Sequence, residues 1–530
     1  MKIAVINTGG TISCVGEPLA PMTAREFAAA CQAIVDPVIA EQFPDLSITY
    51  VTDLVFPESR SGTLDSTNLQ PTDWCRMAGY ILAHYADYDG WVVLHGTDSM
   101  DFTGAALPFL LSCFDANGIG TAVLSRPVIL TGSQLPMFYQ APGTSALKLN
   151  FNTDAFQNFC GAVAAAQSGL SEVCVFFESR LFRGCRVRKT NASEFSAFSS
   201  PNYPELGRTG ITFTLDAGHL LPPPVGSGVN LDNPQVRAMA VAQLDAIART
   251  IDSVPVMQLS AFPAWYTGPT AFLARLITAC AGQGARGLIL QSYGEGNFPS
   301  GNPDNPSQGA IYQALDAANQ AGIVIVDNTQ VLRAVVNNSA YASGAWLPAV
   351  GALNPADMTA TAALAKLMVL LAAASSQAWT VADVKRLMQL SLVGEMLNVS
   401  RLDSRANAKL LTGQSLSAID GSATLRNDPA RGPVLADSTG RIVWTALPNP
   451  GPGTCPGRLI MQNDGNLVFY NSDSLAMWAT DTADGRGAPS MLILAGSAAD
   501  GTLSLYVYNY LSRVVSRVLF GQVPTEAQRA

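Results

Sequence analysis

The chain has 530 residues and a mass of 55.7 kDa, more than one ordinary core of about 100–200 residues holds, so two or three domains are expected. Hydrophobic residues at 48% and charged residues at 13% exclude global disorder. The mean hydropathy of +0.20 hides no membrane span, since the longest apolar stretch, Ala362–Ala374, is broken by Lys366 and falls short of the roughly 18 residues required. A net charge of −9, with Arg183–Lys189 the one basic cluster, argues against a nucleic-acid partner.

Met1–Asn7 reads as a buried strand that opens the first domain at once, with no signal peptide before it. Thr8-Gly9-Gly10-Thr11-Ile12 follows. Its glycines permit a tight turn and close backbone approach, and Thr11 at the tip is either a nucleophile or a cap. Neither phosphate-loop pattern occurs there. Further strands are predicted at Trp91–Leu94, Val128–Leu130, Cys174–Phe177, Val256–Leu259, Leu288–Leu290 and Ile323–Val326. Their continuous apolarity suits strands covered on both faces. Helices lie between them, such as Gln235–Arg249 with Val236, Ala240, Leu244 and Ile247 on one stripe. The alternation predicts an α/β fold with mainly parallel sheets. Several strands run straight into polar segments (NTGGT, HGTDSM, TGSQ, ESR, QSYGEGN, DNTQ), where open α/β sheets bind ligands.

In His95-Gly96-Thr97-Asp98-Ser99-Met100 a hydroxyl and a carboxylate stand side by side beyond a strand, as a catalytic pair or as the cap of the apolar helix that follows. His95 reads as a hydrogen-bonded structural histidine. Three histidines (His84, His95, His219) cannot build a multi-His metal centre, so acid–base chemistry falls to Thr, Ser, Lys, Asp or Tyr, and no cofactor is expected. Nine scattered cysteines without a C-x-x-C pair read as reduced thiols and, with the missing leader, predict a cytoplasmic protein.

Leu221-Pro-Pro-Pro-Val-Gly-Ser-Gly228 is the strongest linker. It predicts an N-terminal domain over 1–208, a linker over 209–228 and a second α/β domain over 229–398. Near Val399–Asn407 helices give way to short alternating runs with Gly, Asn, Asp and Pro turns, so 408–530 is predicted to be all-β. The charge changes as well: residues 401–530 hold 11 Lys/Arg against 10 Asp/Glu, and the first 400 hold 20 against 30.

Taken together, TGGTI at Thr8–Ile12 and HGTDSM at His95–Met100 resemble the two signatures of the bacterial-type L-asparaginase/glutaminase family. Asp65-Ser-Thr-Asn68, Lys189-Thr190-Asn191, Ser200-Pro-Asn-Tyr203, Tyr293-Gly-Glu-Gly-Asn297 and Asp357-Met-Thr359 are similar to family segments in the same order, over roughly residues 1–395. Tyr341-Ala-Ser-Gly344 resembles the cytosolic-type branch. The resemblance implies a two-domain fold and amide hydrolysis through an acyl-enzyme. It makes Thr11 the attacking group and Thr97, Asp98 and Lys189 a second triad, with backbone N–H groups of the glycine turns facing the oxyanion. A partly desolvated lysine beside a hydroxyl suits a proton relay; read without the family, Lys189 belongs to a solvated basic run. The same resemblance assigns an amino-acid amide as substrate, with Asp98 on its α-ammonium, Ser66 on its α-carboxylate and Thr67 beside them. Read alone, DSTN is a turn. It places Asn297 at a site shared across subunits, hence a homodimer or homotetramer. One departure stands out: the loop after TGGTI, Ser13 to Thr23, has no tyrosine where family members commonly carry one, leaving Glu17 or a tyrosine from elsewhere to assist Thr11.

Gln462-Asn-Asp464-Gly-Asn466-Leu-Val468-Phe-Tyr470 matches Q-x-D-x-N-x-V-x-Y and resembles the mannose site of bulb-type lectins, implying a β-prism and a mannose-type glycan partner. Alternate residues share a strand face, so Gln462, Asp464, Asn466 and Tyr470 form a polar row with Val468 as apolar contact. A packing hairpin is the plainer reading. Worn copies stand on either side: Leu411–Leu416 with Arg441–Trp444, and Asp500–Tyr506, where Thr502 replaces the asparagine. Two functions follow. One is an amidohydrolase converting L-asparagine to L-aspartate and ammonia, with a sugar-binding or docking appendage. The other is a glycan-binding protein whose α/β part is inactive or acts on glutamine or another amide.

Overall fold

Lys2–Asn7 (β1) lies between Ser47–Val51 (β2) and Gly90–Leu94 (β3), parallel to both. Val128–Thr131 (β4) and Val173–Phe177 (β5) extend the parallel set, and Arg180–Arg183 (β6), Gly207–Thr209 (β7) and Phe213–Leu215 (β8) finish it antiparallel, in the order β8-β7-β6-β5-β4-β3-β1-β2. The central strands are apolar along their whole length because both faces are covered. Ile3, Val92, Ile129 and Cys174, for instance, are fully buried. Val256–Ser260 (β9), Gly287–Ser292 (β10), Val324–Thr329 (β11) and Ala352–Leu353 (β12) form a second, wholly parallel sheet. Every predicted strand is found, the largest difference being at Val324–Thr329, which runs three residues beyond the predicted Val326; Ser47–Val51, the three antiparallel strands and Ala352–Leu353 were not predicted. The predicted stripe of Val236, Ala240, Leu244 and Ile247 is buried on a helix over Pro234–Ala248.

The computed structural model describes residues 1–523 except 117, 141–142, 145, 217–218, 222, 225–226, 269, 339, 398–399, 405–408, 419–421, 485–488, 497, 499–500, 510–511 and 513. Parts of the proline-rich linker and of the junction near Val399–Asn407 therefore lie outside the described residues, as does Asp500. The chain divides into two compact units. One holds Met1–Asp115, Gly120–Pro224 and Val229–Met388, so both α/β sheets share it; the other holds Ala116–Ile119, Val225–Gly228 and Gln389–Ala530. Among the described residues no helix is long and apolar enough to cross a membrane.

Two helices matter for the site. Met100–Leu110 (α1) begins in the HGTDSM segment, and Ala360–Ala374 (α2) packs against it. α2 is the longest apolar stretch, buried along nearly its whole length, and Thr359 caps it by accepting the Ala362 N–H at 3.2 Å. Lys366 is fully buried there and donates to the Met388 carbonyl at 3.2 Å.

In the second unit twelve strands form three antiparallel four-stranded sheets. In chain order they are Arg401–Asp403 (β13), Lys409–Leu410 (β14), Ser415–Ser417 (β15), Ala423–Asp428 (β16), Gly432–Asp437 (β17), Ile442–Thr445 (β18), Gly457–Met461 (β19), Leu467–Asn471 (β20), Ala476–Ala479 (β21), Ser490–Ala495 (β22), Ser504–Asn509 (β23) and Val514–Phe520 (β24). The sheets are β15-β16-β17-β18, β14-β19-β20-β21 and β13-β22-β23-β24. Alternation sends Leu425, Leu435, Leu459, Phe469, Leu492 and Val507 into one shared core.

Candidate active site

The register of the first sheet builds the site. Asn7 of β1 pairs with Leu94 of β3, and Leu94 with Thr131 of β4, so the loops leaving these strands emerge side by side. Thr8 ties the first two together: its N–H and hydroxyl both donate to the Leu94 carbonyl at 3.0 Å. A third segment joins where Leu64 N–H meets the Thr8 carbonyl at 2.7 Å and Gly10 N–H meets the Leu64 carbonyl at 3.1 Å. The glycines are required here. Gly9 and Gly10 have φ of 116° and 78°, and a Cβ on Gly10 would stand 2.3 Å from the Gly96 Cα. A Cβ on Gly96 would meet Ser66 Oγ at 2.4 Å. TGGT, HGTD and DSTN thus touch backbone to backbone, with Ser99 Oγ donating to the Ser66 carbonyl at 2.6 Å.

Lys189 reaches this cluster from a two-residue strand, Arg188–Lys189. Its Nζ donates to Thr97 Oγ1 at 2.8 Å and to Asp98 Oδ1 at 2.7 Å. Thr97 is buried, while the Asp98 side chain is 57% exposed, leaving carboxylate surface to face a ligand. Thr11 follows Gly10 directly and opens a one-turn helix, Thr11–Ser13, only partly covered. Ser66 is buried at the start of another such turn; Thr67 is exposed, and its N–H and hydroxyl both donate to Asp65 Oδ1. Thr11, Ser66, Thr67, Thr97, Asp98 and Lys189 are therefore brought together. Asn297 lies elsewhere, beyond β10, where it accepts from Ser343 Oγ at 3.0 Å; among the described residues it bonds to none of the six. Glu17 sits exposed at the tip of the hairpin of Cys14–Val15 and Ala20–Pro21, also without a bond to Thr11 among the described residues.

Some expectations change. The Gly9 N–H is taken by Asn7 Oδ1 and the Gly10 N–H by the Leu64 carbonyl, so these amides hold the loop and do not face an oxyanion. Nor is Arg183–Lys189 a solvated run. Arg183 is paired with Glu172 at 2.6 Å and Arg186 with Asp357 at 2.7 Å, all four side chains being almost fully buried. Burial makes an unpaired charge so costly that each needs its carboxylate. His95 is structural, as expected: Nδ1–H donates to the Gly96 carbonyl at 2.7 Å and Nε2 accepts from Thr103 Oγ1 at 2.8 Å. Burial lowers its pKa to about 4, so it stays neutral. Cys14 is no rival nucleophile, since burial, then the charge of Asp65, pushes its thiol up to about 11.

Asp101 escaped the motif reading. It is 3% exposed in the first turn of α1, where its Oδ2 accepts the Lys189 N–H at 3.4 Å and lies 3.2 Å from Arg188 Nε as an ion pair. Lys189 is thus held at both ends, its Nζ by Thr97 and Asp98 and its backbone by Asp101. The signal was an acid three residues beyond Asp98 on a helix start, indistinguishable from an ordinary first-turn carboxylate.

Comparison with known proteins now decides the family. Residues 2–219 match the model of the asparaginase N-terminal domain, and residues 267–388 that of the glutaminase/asparaginase C-terminal domain. The chain belongs to the asparaginase/glutaminase family. Over 396 residues it is 32% identical to L-asparaginase 1 of Escherichia coli, covering 74% of this chain and 98% of that protein. It is 31% identical to the 60 kDa lysophospholipase of Mus musculus, covering 74% and 62%. The crystal structure of L-asparaginase I from Vibrio cholerae superposes with a TM-score of 0.55 at 30% identity, covering 75% and 99%. As a family member the chain is an amidohydrolase of the L-asparaginase type.

In the second unit, Gln462 Nε2 donates to the Tyr470 hydroxyl at 2.9 Å, Asp464 Oδ1 accepts the Asn466 N–H at 2.9 Å, and Asn466 Oδ1 accepts from Thr480 Oγ1 at 3.1 Å. Val468 is buried. Leu435 and Phe469 each precede a register shift against the next strand, which aligns the first two sheets. By that alignment the places of Gln462, Asp464, Asn466, Val468 and Tyr470 are taken in the first sheet by Asp428, Ala430, Gly432, Val434 and Ala436. In the third sheet register shifts follow both Leu505 and Val507, and Tyr506 and Tyr508 are both packed with Ile119, Met491, Ile493 and Val523.

Proposed function

We propose that the chain hydrolyses L-asparagine to L-aspartate and ammonia. The observation that carries this reading is Lys189 Nζ bridging Thr97 Oγ1 and Asp98 Oδ1 beside the Thr11 loop. The Thr11 hydroxyl attacks the side-chain amide carbon, its proton passes through Thr97 and Lys189, and the same relay protonates the departing ammonia. Water then cleaves the β-aspartyl ester, releasing aspartate and restoring the Thr11 hydroxyl. Asp98 holds the α-ammonium and Ser66 the α-carboxylate; Thr67 stands at the open side. Asn297 serves a neighbouring subunit in a homodimer or homotetramer. Hydroxylamine tests the acyl-enzyme: it should divert the product to aspartyl hydroxamate, and Thr11→Ala should abolish both products with an unchanged circular dichroism spectrum. Full activity in Thr11→Ala would overturn the mechanism. Assaying lysophosphatidylcholine alongside checks the ester specificity that the mouse relative's name suggests.

We further propose that β19–β20 with its turn binds a sugar of the mannose type, supported by the Gln462–Tyr470 hydrogen bond and the Q-x-D-x-N-x-V-x-Y pattern.

A further inference from the structure

The outward face of β14-β19-β20-β21 has an unusual charge pattern. Lys409 pairs with Ile460 and Arg458 with Tyr470, so on adjacent strands the two cations are diagonal neighbours. Both face outward, because the alternating residues Leu410, Leu459 and Phe469 are buried. None of the four strands contains Asp or Glu. The Arg458 guanidinium lies 5.5 Å from the centre of the Tyr470 ring and donates to Ser474 Oγ at 3.1 Å, both neutral partners. Among the described residues neither cation has an ion pair. Through Tyr470 the strip continues to Gln462, and Asp464 at its end already has one oxygen engaged by Asn466.

We propose that this face binds an acidic carbohydrate, a hexuronate whose ring hydroxyls meet Gln462 and Tyr470 and whose carboxylate meets Arg458 and Lys409. The inference rests on the sugar-binding reading and names the sugar's class. A guanidinium presents forked donors that match a carboxylate, and Lys409 adds a second positive charge. Asp464, with an oxygen still open, suits a sugar hydroxyl as donor.

The test is calorimetric titration of the full chain, at about 0.15 M salt to screen loose ion exchange, with mannuronate oligosaccharide, neutral mannose oligosaccharide of equal length, and polyglutamate. The acidic sugar should bind about tenfold tighter than the neutral one, with Arg458→Gln or Lys409→Gln removing the difference and leaving neutral binding unchanged. Equal affinity for the two sugars overturns the acidic preference and leaves the sugar site standing. Binding of neither overturns the sugar reading and this inference with it. Polyglutamate binding as tightly as the acidic sugar, indifferent to Gln462→Ala, overturns it in favour of ion exchange.

Discussion

Thr11, Thr97 and Asp98 stand on loops past the carboxyl ends of parallel strands, whereas Gln462 and Tyr470 stand on an antiparallel hairpin with Arg458 and Lys409 beside them on one face. In the α/β unit, function depends on strand ends being level, and the structure secures this with buried contacts: Thr8 to Leu94, Gly10 against Gly96, Arg186 with Asp357. In the second unit three similar sheets share one core, yet their outer faces differ, because outward residues are free of the packing that fixes inward ones. A loop site tolerates little change in its supports; a face site can be erased by a few outward substitutions with the fold intact.

That contrast yields predictions graded by size. Lys189→Met should lower kcat by at least about 10³-fold in steady-state assays and leave titration of the second unit with mannose-type sugar unchanged. Arg186→Met removes the buried cation paired with Asp357 and should cost about 3–5 kcal/mol in chemical denaturation of the α/β unit; Arg458→Gln, on an open face, should cost well under 1 kcal/mol. His95 gives a pH effect. Its folded-state pKa of about 4 lies below the 6.5 of an exposed histidine, so the unfolded chain takes up a proton that the folded chain refuses. Stability should therefore fall as pH drops from about 6.5 to 4, by roughly 3 kcal/mol in all, and His95→Gln should flatten that slope in denaturation midpoints. At the site itself, Asp101→Leu keeps the branched shape of the side chain but removes the acceptor for the Lys189 N–H; kcat should drop about 10- to 100-fold with KM nearly unchanged. Asp101→Asn, which keeps an acceptor, should recover most of that loss.

Much of this could be read from residues in order. The strands show as apolar runs because both their faces are covered, and the loops beyond them show because close backbone approach demands glycine. What stayed hidden are relations across the chain. Arg186 looked solvated because its partner, Asp357, is 171 positions away by residue number. Asp101 carries no motif signal, because its contact is to the Lys189 backbone 88 positions away.

Ammonia release by the full-length chain from L-asparagine, with L-glutamine alongside, tests the central claim most directly. The site described here predicts rapid release from asparagine, slower release from glutamine, and loss of both in Thr11→Ala. No ammonia from either amide, from chain shown to be folded, would contradict it.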